Sequence, residues 1–457
     1  MAKKTTPEEK FTWLTTAPIP GLIGKLAVPT IISMLITSIY NMADTYFVGE
    51  LGTSAQGAVG VVFSLMAIIQ AIGFLFGNGT GNHVSRLLGA QENEKAEYVA
   101  STGFFMGVLG GLILAVGGIL FLDPLVGVLG ATETILPYAR DYARFILIGA
   151  PWMVGSLVLN NLLRFQGSTV YAMVGISTGG ILNMLLDPIF IFVFGLGTGG
   201  AALATIVSQL VSFVILLANC GRNSNLPIRW SRFSLREGSI LISVKGGLPS
   251  LYRQGLASVA SILLNWAAKP FGDAAIAAMG IVSKVSMFSG SAIIGFGQGF
   301  QPFCGFNYGA GLYKRVREGF WFCVKVGFGV LVVIGAVMIA FAPQVVTLFN
   351  RNDPQVIHLG TMALRCQMAV LPLVAWVVTN NMMLQTVGET AKASVTALAR
   401  QGLFFIPLIL TLPPLFGFNG VMLAQPISDV CSAILTIPLC LGFLKKMDRL
   451  EAKKGKG

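Results

Sequence analysis

Twelve apolar runs follow one another along the chain, near 26–48, 57–83, 99–122, 142–163, 171–194, 200–219, 246–268, 274–304, 319–342, 361–384, 394–415 and 420–444. Each is long enough to cross the hydrocarbon core of a bilayer as a helix, which takes about 20 residues. Only helix bundles and closed barrels satisfy every backbone group in lipid, and these runs are too long for barrel strands. The expected fold class is an all-α integral membrane protein with twelve transmembrane helices. Composition agrees: 54% of the 457 residues are hydrophobic and 11% charged. Soluble domains, by contrast, are about 25% charged. The opening residues, MAKKTTPEEK, precede no short apolar core with a small-residue cleavage site, so the first run is expected to be a span and not a cleaved leader.

The net charge of +12 is distributed by topology. Lys3, Lys4, Lys10 and Lys25 precede the first run, and Arg86 and Lys95 follow the second. Arg222, Arg229, Arg232, Arg236 and Lys245 fill the central loop, Lys314, Arg315 and Arg317 follow the eighth run, and Lys445, Lys446, Arg449, Lys453, Lys454 and Lys456 follow the last. The alternate gaps, such as 49–56 and 195–199, are short or poor in basic residues. The positive-inside rule then places both termini in the cytoplasm. No nucleic-acid partner is implied. Five of the six cysteines (Cys304, Cys323, Cys366, Cys431, Cys440, beside Cys220) lie in or at the edge of runs without metal-binding spacing, and His83 and His358 are far apart.

The chain is also written twice. The shift that lays Pro29 on Pro249 also lays Gly52 on Gly272, Phe76-Gly77-Asn78-Gly79 on Phe296-Gly297-Gln298-Gly299 and Gly89-Ala90 on Gly309-Ala310. By the same repeat shift Asn160-Asn161 falls on Asn380-Asn381, Gly200 on Gly420 and Leu203-Ala204 on Leu423-Ala424. One offset over nearly the whole chain implies two homologous halves. We divide it into an N-lobe over 1–219, a cytoplasmic linker loop over 220–245, a C-lobe over 246–444 and a basic cytoplasmic tail over 445–457. Six spans per half give both lobes the same orientation, related by an axis along the membrane normal, with a substrate site expected between them. The 55 glycines allow close helix approach.

The halves differ where chemistry is expected. Asp44, in the first run, maps to Leu264, and Asp187, in the fifth, maps near Ile406 and Pro407. A membrane carboxylate costs about 2.5–3.5 kcal/mol near a helix centre and marks function by default. Asn183 and Asp187 stand four apart on one helix face, and Pro188 leaves the carbonyl of Met184 without its donor. Thr205 follows the small-residue stretch Gly199-Gly200-Ala201-Ala202. Asp44, Asn183, Asp187 and Thr205 offer oxygen alone, which suits Na⁺ or a shared proton. The alternative is two separate acids, each satisfied by its own backbone or water.

With these residues in view, the chain resembles the multidrug and toxic compound extrusion (MATE) family. The resemblance rests on twelve spans in two repeats, the first-helix Asn41-x-x-Asp44, the fifth-span Asn183-x-x-x-Asp187-Pro188 and the repeated glycine-rich second and eighth spans, and it covers essentially the whole chain. It implies two pseudo-symmetric six-helix lobes. It also implies the N-lobe cation site of one prokaryotic branch at Asp44, Asn183, Asp187 and Thr205, with Tyr40 beside it and Pro29 as the bending point of the first helix. Another branch carries acids in the seventh and tenth spans, where this chain has Arg253 and Asn380-Asn381.

Other polar residues in the runs have two readings each. Arg253, Gln254 and Lys284 line a central cavity or snorkel to the membrane edge. Cavity placement of both cations makes zwitterionic or anionic substrates more comfortable than purely cationic ones. Asp429 pairs with one of those cations or caps local backbone. Asn160 and Asn380 bond between helices, with substrate contact as the lesser reading. The 31 phenylalanines and 17 methionines suit a deformable drug pocket and equally an ordinary core.

The expected function is secondary active multidrug efflux by alternating access, moving organic cations and amphipathic drugs out of the cytoplasm in exchange for H⁺ or Na⁺. Bending at Pro29 would follow cation binding. The alternative is an exporter or flippase of one amphipathic metabolite or lipid-linked substrate. A membrane enzyme of prenyltransferase type would need an acidic cluster such as DDxxD, and an ATP-driven pump a GxxxxGK[ST] loop; neither pattern occurs. No cofactor beyond the coupling ion, a cytoplasmic-membrane location and a functional monomer complete the expectation.

Overall fold

The computed structural model describes residues 6–129, 131, 133–236, 240–351 and 353–454; Lys3, Lys4 and Lys456 lie outside them. Sixteen α-helices and no strand are found among the described residues. The first half holds α1 (Pro7–Thr16), α2 (Ile19–Gly49), α3 (Thr53–Gly89), α4 (Asn93–Leu120), α5 (Leu122–Val128), α6 (Leu136–Phe165), α7 (Thr169–Pro188) and α8 (Gly197–Asn219). The second holds α9 (Ile240–Ala268), α10 (Asp273–Gly309), α11 (Tyr313–Ala340), α12 (Ala342–Phe349), α13 (Pro354–Val387), α14 (Thr390–Leu398), α15 (Phe405–Phe416) and α16 (Phe418–Lys454).

The repeat read from the sequence is built into the helices. The helices α3 and α10 each run 37 residues, and each starts after a glycine in positive φ, Gly52 at 113° and Gly272 at 90°. The helices α4 and α11 each run 28 residues. In both halves a single residue, Phe121 or Phe341, then separates them from the short α5 and α12. Local caps agree with the boundaries. Thr6 and Glu9 form a capping box at α1. Asp353 accepts from the backbone of Gln355 and Val356 at the start of α13, which ends at Gly388 with φ of 89°.

Eleven spans among the described residues have the length and hydropathy to cross a membrane. The expected seventh, α9, has 29 residues but carries Lys245, Arg253 and Gln254, and it does not reach the same hydropathy. It starts at Ile240, inside the stretch expected to be loop. The rest of the connector folds over the N-lobe: Trp230 stacks on Phe233, and Arg232 pairs with Glu94 and Glu97. The basic stretch after 444 continues α16 as helix to Lys454.

Two of the cores follow the lobes, and a third crosses between them. Leu22, Ile23 and Leu26 at the start of α2 pack with Phe300, Phe303 and Phe306 of α10, while Leu14 of α1 joins the same cluster. The lobes meet at backbone-to-backbone distances. A Cβ added to Gly89 would lie 2.2 Å from the carbonyl oxygen of Phe306, and one on its repeat mate Gly309 would lie 2.1 Å from that of Arg86. These two contacts are each other's images under the repeat shift, so the pseudo-twofold axis passes between them. Gly79 against Gly247 and Gly299 against Ala27 repeat the relation one helix further out. These crossings lie towards the end of the bundle where Asn307 of α10 donates to the carbonyl of Leu14 of α1 and Arg317 of α11 pairs with Asp448 of α16. The lobes are closed on one another there.

Candidate functional site

In the N-lobe, α2 brings Tyr40 and Asp44, α7 brings Asn183 and Asp187, and α8 brings Thr205 to one place. Small residues allow it. A Cβ on Gly180 would lie 3.0 Å from the Tyr40 ring, so α7 and α2 touch at that level. One on Gly200 would lie 2.6 Å from the carbonyl of Phe190, which holds the start of α8 against the wide π-helical turn Ile189–Val193 after Pro188. Such turns insert one extra residue and are frequent at functional sites.

Asp187 is fully buried and Asn183 is 3% exposed. The Asn183 amide donates to Asp187 Oδ1 at 3.0 Å and to Thr205 Oγ1 at 3.3 Å, and Thr205 donates to the carbonyl of Ala201 at 3.1 Å. Asp44 is half-buried and accepts at 3.4 Å from the hydroxyl of Tyr142, on α6. Tyr142 thus ties α6 to the carboxylate of α2.

Three buried acceptors here have no donor among the described residues: Asp44 Oδ1, Asp187 Oδ2 and Asn183 Oδ1. Buried polar atoms are nearly always paired, and each unpaired one costs about 1–3 kcal/mol. Three unmet oxygen acceptors fit a proton or a hard monovalent cation. A divalent ion would ask for more ligands, 6–8 oxygens for Ca²⁺, and no group of three or more His, Cys, Asp or Glu occurs among the described residues.

Pro29 lies within α2, which runs unbroken through it. The helix is held by α10 on both sides of it: Ala27 lies against Gly299 before the proline, while after it Thr30 Oγ1 donates to the carbonyl of Gly295 at 2.6 Å and the Ser38 and Ser291 hydroxyls stand 2.8 Å apart. Above it the helix packs on α7 through Ile36 and Tyr40. The seam with α10 therefore continues past the proline as far as Ser38, just short of Tyr40 and Asp44.

The remaining sequence candidates are spread out. Arg253 is half-buried on α9 and donates to Asn381 Oδ1 at 3.5 Å. Gln254 donates to Gln70 Oε1 at 3.1 Å across the lobes, and Lys284 is exposed. Asn160 donates to the carbonyl of Ala172 and Asn380 to that of Thr436, both at bonding distance between neighbouring helices. Asp429 pairs with neither Arg253 nor Lys284. Its partner is Arg400, at 2.7 Å, with Gln367 and Gln425 donating to the same carboxylate.

In the N-lobe two residues escaped the sequence reading. Tyr142 maps to Met362 under the repeat shift, the same loss that singled out Asp44, so the asymmetry held its signal. Arg164 follows the fourth apolar run immediately and reads as a topological charge, yet it is 2% exposed. Its guanidinium donates to Gln301 Oε1 at 2.6 Å, the Gln298 carbonyl at 3.1 Å, Asn78 Oδ1 at 3.0 Å and Asn161 Oδ1 at 2.5 Å.

Comparison with known proteins agrees with this architecture. The chain is 29% identical to the multidrug export protein MepA of Staphylococcus haemolyticus over 438 residues, 94% of this chain and 95% of that protein. It is 28% identical to MepA of Staphylococcus aureus, over 93% and 94% of the two chains. A solved outward-facing structure of a multidrug resistance MATE family transporter of the MOP superfamily superposes with a TM-score of 0.91. That pair shares 26% identity and covers 98% of this chain and 100% of the other. The MatE family model matches twice, over 29–189 and 249–411, so that its two matches begin at the repeat mates Pro29 and Pro249. The chain belongs to the MATE family of membrane transporters.

Proposed function

We propose that this transporter is an ion-coupled multidrug exporter whose coupling site is Asp44, Asn183, Asp187 and Thr205, with Tyr40 and Tyr142 shaping it. The observation that carries the reading is the trio of buried, donorless oxygens on Asp44, Asn183 and Asp187. When bound, H⁺ or Na⁺ supplies positive charge between two carboxylates that otherwise repel. The chain's own residues do the rest. Asp44 is drawn towards α7, α2 bends at Pro29, and the seam of α2 with α10, which runs past Pro29 to Ser38, is disturbed. Closure on the terminus side, and the likeness to an outward-facing relative, support a cleft open to the outside in this structure. Both termini are then cytoplasmic, one chain is a complete transport unit in the cytoplasmic membrane, and the substrates are organic cations and amphipathic drugs.

The test is dye accumulation in inside-out vesicles under an imposed proton gradient and then an imposed sodium gradient, for wild type and Asp187→Asn. Accumulation driven by one ion and lost in the variant supports the reading and names the ion. Equal accumulation in the two proteins under the same gradient would sink it.

A further inference from the structure

We infer that Arg164 and Arg253 together bind the anionic group of the transported molecule, so that the preferred substrates are amphipathic molecules bearing a carboxylate or phosphate. The inference rests on the exporter reading and gives its substrates a chemical class.

Arg164 sits on α6 of one lobe and Arg253 on α9 of the other, and Asn78 links their neighbourhoods: its Oδ1 accepts from Arg164 at 3.0 Å and its amide donates at 2.9 Å to Ser250 Oγ, about one turn before Arg253. Neither takes part in any of the eight ion pairs among the described residues. Each of their hydrogen bonds ends on a neutral oxygen, and Arg164 Nε is buried without a partner. Membrane cations of this kind ordinarily pair or face a water-filled path. Two adjacent guanidiniums without an acid leave a net positive site between the lobes, and guanidinium matches carboxylate and phosphate in bidentate geometry.

The ligands of Arg164 suggest how the site would work. Asn78 and Asn161 belong to its own lobe, whereas Gln298 and Gln301 sit on α10 of the opposite lobe. With the lobes closed on the terminus side, those two oxygens satisfy the guanidinium. Parting the lobes on that side removes both at once and bares the charge to the cleft, where an anionic group takes their place. Reclosure returns Gln298 and Gln301 and displaces the anion towards the other side. Beside Arg253, on the adjoining face of α9, an apolar slot of about 400 Å³ is lined by Ile68, Ile72, Leu251, Tyr252 and Leu256. It offers room for an apolar body attached to the acidic group.

The experiment measures binding and transport separately. A fluorescent rhodamine zwitterion with a free carboxylate and its methyl ester are titrated against the full chain in nanodiscs by fluorescence polarisation. The expected result is roughly tenfold tighter binding of the carboxylate dye, a preference lost in Arg253→Gln and largely kept in Arg253→Lys. Equal or weaker binding of the carboxylate dye by wild type overturns the inference, as does a preference unchanged in Arg253→Gln. Discs of zwitterionic lipid are compared with discs containing phosphatidylglycerol. A preference present in both supports a substrate site, and one abolished by the anionic lipid reassigns the arginines to a headgroup. Proteoliposome transport of the two dyes tests the exporter reading independently. A carboxylate preference in binding without transport of either dye supports the site and fails that reading.

Discussion

The two lobes carry acids in equivalent regions and treat them in opposite ways. In the C-lobe, Asp429 is 1% exposed, and both its oxygens are saturated by Arg400, Gln367 and Gln425. Under the repeat shift Arg400 stands for Gly180 and Gln425 for Thr205, so this cluster neighbours the image of the N-lobe site. In the N-lobe, Asp187 Oδ2, Asp44 Oδ1 and Asn183 Oδ1 have no donor. A carboxylate out of water needs a positive partner. The C-lobe supplies one covalently, on a π-helical turn spanning Ala399–Phe404; the N-lobe leaves the place to be filled from solution. On the function proposed above, the second arrangement is the one that empties and refills, so the N-lobe is the one expected to report an ion gradient.

The comparison breaks most readily at the acids themselves. Asp187→Asn is expected to lower gradient-driven efflux by at least about tenfold, the factor that about 1.4 kcal/mol produces, with little change in thermal stability because no built-in cation is stranded. Asp429→Asn is expected to do the reverse. It strands the Arg400 guanidinium and destabilises the fold by about 3 kcal/mol, the low end for a broken buried pair because Arg400 keeps some solvent contact. The identity of the coupling ion would be unchanged. Loss of ion coupling in a folded Asp429→Asn protein would refute the division of labour.

Much of this was legible before any coordinates. Apolar run length and a constant repeat offset carry the fold, because lipid admits few backbone solutions and duplicated genes keep their register. The acids of the N-lobe stood out as departures from that register, and α2, α7 and α8 bring Asp44, Asn183, Asp187 and Thr205 together. Arg164 stayed hidden since charge just past an apolar run normally lies in water; only the packing of α6 against α10 buries it. Arg400 was hidden for a related reason: it interrupts an apolar run, and its partner Asp429 is 29 residues away on another helix.

A second comparison concerns the lobe seam. Gly89 and Gly309 make mirror contacts with Phe306 and Arg86, so Gly89→Ala and Gly309→Ala should act alike. Each methyl group would meet a backbone oxygen far inside contact distance, and overpacking of this kind costs about 1–3 kcal/mol against the closed state. Cysteine-accessibility labelling on the terminus side should rise severalfold in both variants, and a response in only one would show that the axis does not run between them. Smaller again is Tyr142→Phe, which removes the single donor to Asp44. Loss of about 0.5–1.5 kcal/mol predicts a change of about two- to tenfold in the ion concentration that half-saturates efflux. Its C-lobe image, Met362→Leu, should leave that concentration unmoved.

The smallest effect sharpens the contrast between the segments that lead into α2 and α9. The described part of the linker before α9 bonds to the N-lobe, whereas α1 straps both lobes. Asn307 of α10 donates to the carbonyl of Leu14, and Lys10 Nζ donates to Ser168 Oγ at 2.8 Å and Asn225 Oδ1 at 2.9 Å. Burial lowers the Lys10 amine to a pKa of about 7 from an ordinary 10.5. Between those values the undocked chain binds more protons than the docked one, so docking strengthens as pH rises through that window and is weakest, at a constant level, below it. The slope is at most about 1.4 kcal/mol per pH unit. Wild-type thermal midpoint, measured from about pH 7 to about pH 9, should therefore climb relative to Lys10→Gln, in which the amide makes the same contacts without titrating. Parallel profiles for the two proteins would mean that the strap is held through Leu14 and α10, and that its grip on the N-lobe does not depend on the charge of Lys10.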